Sequence, residues 1–182
     1  MKIYAIFFLS LFLMLSCMPS VQPLFNEQDL ETNDQFLGLW STTDFSEQWE
    51  VREEGKNSYL LYCLDDSSPM VLKGHLLKIA GEWFLDIFPS EEQIGTAGLL
   101  FLPMHSFYKV EIGELNLKVF APDETQWRLY MQQAKGRGLA HTFLPEGQLL
   151  LTASPAELQK FIRKYPTKEL FSDSTNFIRL VN

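Results

Sequence analysis

Cysteine, histidine and basic residues are scarce in this chain, and each scarcity excludes something. Two cysteines, Cys17 and Cys63, in 182 residues leave room for one disulfide at most. A folded domain here must be held by its core and not by a disulfide framework. The three histidines, His75, His105 and His141, lack the short spacing of a zinc-binding helix, such as two His four apart. No metal or other cofactor is expected. Fifteen Lys and Arg stand against 23 Asp and Glu, for a formal net charge of −8. That balance excludes nucleic acid, which needs a basic surface, and electrostatic adhesion to anionic lipid. Chemical signatures are missing as well. There is no Gly-x-Ser-x-Gly nucleophile turn, and Gly95-Thr96-Ala97-Gly98 lacks the Lys of a phosphate-cradling loop. Asp65-Asp66 and Glu91-Glu92 supply adjacent carboxylates, but Ca²⁺ needs about six or more oxygens in a set pattern.

What is present begins at the N-terminus. Lys2 is followed by an uncharged, almost wholly apolar run over 3–15, a short basic region and then an apolar one, as in a secretory leader. The run is shorter than the ~20 residues needed to span a bilayer. Leu13-Met14-Leu15-Ser16-Cys17 resembles a lipobox, at which bacteria attach diacylglycerol to the Cys and cleave before it. Ser16 is the small residue before the cut. Met14 and Leu15 depart from the preferred Leu and small residue at those two places. The resemblance implies a signal peptide over 1–16, a lipidated Cys17 as the mature N-terminus, and anchoring by acyl chains, two of which already hold a protein stably. Met18 is not the Asp of an inner-membrane retention signal, so the resemblance implies the outer membrane over the inner. Loss of Lys2 with the leader makes the remainder one unit more negative.

Residues 18–35 read as a polar tether without period, with Leu24, Phe25 and Leu30 as candidates to dock on the domain. From Phe36 to Asn182 the chain is long enough for one domain with a real core. Aromatic and branched segments recur there between turn residues, which predicts strands over 36–42, 48–53, 58–64, 70–80, 82–88, 99–102, 107–112, 115–120, 140–144, 148–152 and 176–181. Trp49 and Val51 alternate with Glu50 and Arg52, and Leu115, Leu117 and Val119 with Asn116 and Lys118, so each strand has one dry face. Cys63 falls inside such a strand and reads as a buried thiol. Two helices are predicted. In the first, over 122–134, Trp127, Tyr130, Met131 and Ala134 share a face. The second opens on the capping box Ser154-Pro155-Ala156-Glu157 and stops at Pro166. Its face is Leu158, Phe161, Ile162 and Tyr165. The expected fold is mainly β: a curved antiparallel sheet or barrel with two packed helices.

Gly38-Leu39-Trp40, at the first strand, resembles the Gly-x-Trp of lipocalin and calycin barrels, whose Trp plugs one barrel end under an Arg of the last strand. The resemblance implies that Gly38, Trp40 and Arg179 close such a barrel. More widely, Pro23-Leu24-Phe25, Gly38-Leu39-Trp40, Phe84-Leu85-Asp86-Ile87-Phe88-Pro89, Pro103-Met104-His105 and the Leu158/Phe161 helix resemble a group of uncharacterised bacterial lipoproteins, which implies no activity. The function expected is therefore non-enzymatic: an envelope lipoprotein, anchored to the membrane at Cys17, that binds an envelope protein or an apolar small molecule. The fifteen Phe suit either a cavity lining or a plain core. The alternative is an envelope hydrolase built on scattered His, Ser and Asp.

Overall fold

The computed structural model describes residues 18–64, 70–90, 104–134, 138–145 and 147–181. The expected leader, Cys17 and the strand expected over 99–102 lie outside the described residues.

The described residues form a closed antiparallel barrel of eight strands, one further strand outside it, a separate two-stranded hairpin and three helices. In chain order the strands are β1 (Leu30–Glu31), β2 (Gly38–Thr42), β3 (Gln48–Glu53), β4 (Tyr59–Cys63), β5 (Met70–Ile79), β6 (Glu82–Pro89), β7 (Ser106–Ile112), β8 (Asn116–Ala121), β9 (His141–Phe143), β10 (Leu149–Leu151) and β11 (Asp173–Leu180). Strands β2 to β8 follow one another around the wall, and β11 closes it by pairing with both β8 and β2. β1 pairs with β5 on the outside. Tight turns set the meander. Ala80 and Gly81, both at positive φ (53° and 87°), join β5 to β6, the two-residue reversal whose twist matches that of the flanking strands.

Alternation along each strand separates two cores. Trp40, Val51, Leu61, Leu72, Leu76, Leu85, Val110, Leu117 and Phe177 fill the barrel interior. The outward neighbours Leu77, Ile79, Phe84 and Phe107 belong to a second core, between barrel wall and helices. Period 2 requires this, since adjacent side chains such as Leu76 and Leu77 point to opposite faces. Burial of a large apolar side chain stabilises by ~1.5–3 kcal/mol, so the outer wall is dry only where something covers it.

The cover is helical. α1 (Glu124–Gln133) starts at Asp123, whose carboxylate accepts from Gln126 N at 3.1 Å. Pro122 therefore precedes the helix and does not open it. α2 (Pro155–Lys164) has the capping box at Ser154 and Glu157. Trp127, Met131, Leu158, Phe161 and Ile162 are buried in the outer core, with Trp127 stacked on Phe161 at 4.9 Å. A third, short helix, α3 (Thr167–Leu170), follows Pro166 where the sequence reading had only the end of α2.

The segment read as a tether is docked along its length. Met18, Ser20 and Leu24 are fully buried, and β1 adds to the sheet. Composition hid this because the polar residues serve locally. Asn26 and Asp29 bond to each other at 2.7 Å, and Asn33 caps the 3₁₀ turn Asp34–Phe36. Cys63, expected to be buried, is half-buried.

Candidate functional site

The two ends of the barrel differ. At one end the 3₁₀ turn Asp34–Phe36 leads the chain into β2 and folds across the opening. Trp40 Nε1 donates to the Phe36 carbonyl at 2.9 Å, and Phe36 meets Tyr59 edge-on at 5.2 Å. Arg179, the cross-strand partner of Trp40, lays its guanidinium over the Trp40 ring, 4.3 Å from the centroid. Its three nitrogens donate to carbonyls of two segments: Nε to Glu114 at 2.6 Å in the β7–β8 turn, and Nη1 to Leu37 and Nη2 to Gln35 at the 3₁₀ turn. Gly38 makes room for this. Its φ is +118°, and a Cβ there would lie 2.6 Å from Arg179 Nη1. Gly38, Trp40 and Arg179 thus sit together as the plug of one barrel end, with a shallow depression over it lined by Asp34, Gln35, Glu114, Leu115 and Val181.

The opposite end is built otherwise. Inward residues toward it include Trp49 on β3, Cys63 on β4, Met70 on β5, Ile87 on β6, Tyr108 on β7, Val119 on β8 and, on the two closing strands, Thr42 and Thr175, all half-buried. Asp173 ends the inward row of β11 and is exposed, and beneath this layer lie the buried Trp40, Leu72 and Leu85. Trp49 Nε1 donates to Glu47 Oε1 at 2.6 Å at the rim, where burial pushes the Glu47 carboxyl above its ordinary pKa. The connections from β4 to β5 and from β6 to β7 belong to this end and lie largely outside the described residues. Partly buried apolar side chains above a plugged floor can contact an apolar molecule by burial alone.

A second constellation lies on the outer wall. His75 and Asp86 are cross-strand partners on β5 and β6, and His105 immediately precedes β7. The Asp86 carboxylate is fully buried. It accepts from Leu24 N at 2.7 Å and from His105 Nδ1 at 2.6 Å. His75 Nδ1 donates to the Asn57 carbonyl at 2.9 Å. Phe88 stacks on His75, and Phe25 packs against both imidazoles. Two of the three histidines therefore converge, whereas His141 stands apart, bonded to the Leu139 carbonyl at 2.7 Å. Among the described residues no three His, Cys, Asp or Glu side chains are placed to hold a metal ion. The serine bracketing His105 through its backbone, Ser20, donates its hydroxyl to the Gln22 carbonyl, so it is not poised on the imidazole as a nucleophile. The carboxylate–imidazole pair instead fastens the segment over 18–26 to the barrel. Sequence reasoning missed Asp86. Its signal was a single acid inside the apolar strand Phe84-Leu85-Asp86-Ile87-Phe88.

No family model, no curated protein and no solved structure matches the chain. Function must therefore be argued from the geometry.

Proposed function

We propose that this chain is an exported lipoprotein, anchored to the bacterial envelope through Cys17, whose barrel is a non-enzymatic binding module for an apolar ligand. The observation that carries the reading is the asymmetry of the barrel. Arg179 and Trp40 plug one end, while at the other the partly buried Trp49, Met70, Ile87, Tyr108 and Val119 have no corresponding plug among the described residues. The leader and the lipobox-like Leu13–Cys17 stretch support export and acylation. The paired His105 and Asp86 are engaged in holding the strap, which favours binding over hydrolysis.

Titration with palmitate, read by the change in tryptophan emission that Trp49→Phe removes, tests this. The wild-type signal changes saturably, and Ile87→Glu, which places a charge among these side chains, abolishes the change while the thermal unfolding transition persists. Emission that does not respond to palmitate in the wild type would contradict apolar binding there. A response untouched by Ile87→Glu would place the ligand elsewhere.

A further inference from the structure

The chain is fixed to the domain from its first described residue. Met18 is 1 % exposed, packed in the outer core with Leu149 and Leu151. Ser20 bridges Leu151 in parallel and His105 antiparallel. Four backbone hydrogen bonds hold this stretch: Leu151 N to Pro19 O at 3.0 Å, Val21 N to Leu151 O at 2.9 Å, and the reciprocal pair between Ser20 and His105, both 2.9 Å. Next along, Leu24 gives its N–H to buried Asp86. Residues 18–21 thus run between β10 and the residue before β7, bridged to both at Ser20.

This leaves the anchor almost no slack. Successive Cα atoms are ~3.8 Å apart, so residue 17 is one such step from a buried side chain. The parallel register places this stretch. Stepping back from Ser20 beside Leu151 brings Met18, the first described residue, beside Leu149 at the start of β10. The β9 strand paired with β10 there is wet. All three residues of β9 are exposed, and Phe143 is 51 % exposed. Arg128 of α1 is ion-paired with Glu124, lies 4.6 Å from the Phe143 ring centroid and donates to Gly147 O at 2.6 Å, so it holds α1 to the hairpin. Phe143 and Leu129, next to Arg128 in the chain, are exposed apolar side chains of the kind an interfacial segment places at the headgroup–acyl boundary.

Resting on the anchor reading above, we infer that the face carrying Phe143 and Leu129 lies directly on the lipid bilayer. A free tether of eighteen residues would reach ~60 Å at ~3.3 Å per residue; the docked one gives the domain no reach away from its own membrane. The acidic domain is not drawn there by charge. The acyl chains supply the affinity, and the docked strap supplies the orientation. Any ligand is then exchanged at the surface of that same membrane.

The experiment uses the full chain purified from membranes, its N-terminus checked by intact mass, and reconstituted in phosphatidylethanolamine–phosphatidylglycerol vesicles with brominated acyl chains. Phe143→Trp and, at the plugged end, Leu115→Trp are compared with the parent. Both positions are exposed, so folding is undisturbed. Most of the emission added by Phe143→Trp should be quenched by bromine, and that added by Leu115→Trp should not. An acylated protein in which neither added signal is quenched, or only that of Leu115→Trp is, overturns the docked face and leaves the anchor standing. A mass without acyl chains overturns both.

Discussion

Arg179 and Trp40 face each other across neighbouring strands, and the guanidinium lies 4.3 Å from the ring centroid. The pair joins the first and last strands of the barrel and, through three carbonyls, the 3₁₀ turn and the β7–β8 turn. A cation over Trp contributes ~0.5–2 kcal/mol, and hydrogen bonds from a charged donor add ~1.5–3 kcal/mol. Arg179→Ala should therefore lower the unfolding free energy by about 2–4 kcal/mol, measured by urea titration. Gly38→Ala should cost about 1–3 kcal/mol, because Ala is strained at this φ and its Cβ meets the guanidinium. A midpoint equal to the wild type for either variant would show that the plug does not stabilise the barrel.

Asp86 is the fastening of the strap. Asp86→Ala leaves the Leu24 N–H buried without an acceptor and should cost about 1–3 kcal/mol. Hydrogen exchange at Leu24 should accelerate more than exchange at Val51, inside the barrel. Equal protection at Leu24 in variant and wild type would separate the strap from Asp86.

Acid should weaken the same region through His75. Burial pushes its imidazole below the ordinary pKa of 6.5, with Lys73 and His105 acting in the same direction. The Asn57 carbonyl and the Asp86 carboxylate oppose the shift. The unfolded chain then binds the proton more readily than the folded one. The stability that His75 contributes is complete above about pH 6.5 and declines as pH falls below it. Urea midpoints should drop between about pH 7.5 and about pH 5.5, and His75→Gln should flatten that drop. A slope that survives His75→Gln unchanged would assign the effect to other groups.

Ser154 caps α2 through Glu157 N, while the Glu157 carboxylate accepts from the Ser154 N–H at 2.9 Å and its hydroxyl at 2.7 Å. These bonds lower the Glu157 pKa. Ser154→Ala should cost ~1 kcal/mol. An unchanged melting temperature would mean that water replaces the cap without loss.

The barrel was legible wherever period 2 was clear. Trp49 and Val51 against Glu50 and Arg52 gave β3 its inner face directly, and Ser154-Pro155 announced α2 because its cap is local chemistry. Arg179 was legible through the Gly-x-Trp resemblance, which implies an Arg of the last strand over Trp40. Asp86 had no such guide: its partners are Leu24, 62 residues away, and His105, and no local pattern links them. The docking of 18–35 was illegible because its polar side chains cap short turns, so composition resembled a linker while Met18 and Leu24 did the burying. α3 was missed because four residues carry no helical period.

The most direct test of the account is the native mass of the full chain extracted from its own membrane. The account predicts a mature protein that begins at Cys17, carries acyl chains there, and retains an apolar small molecule that Ile87→Glu loses. A polypeptide beginning elsewhere, or an acylated barrel that carries no apolar molecule and takes up none from added palmitate, would contradict it.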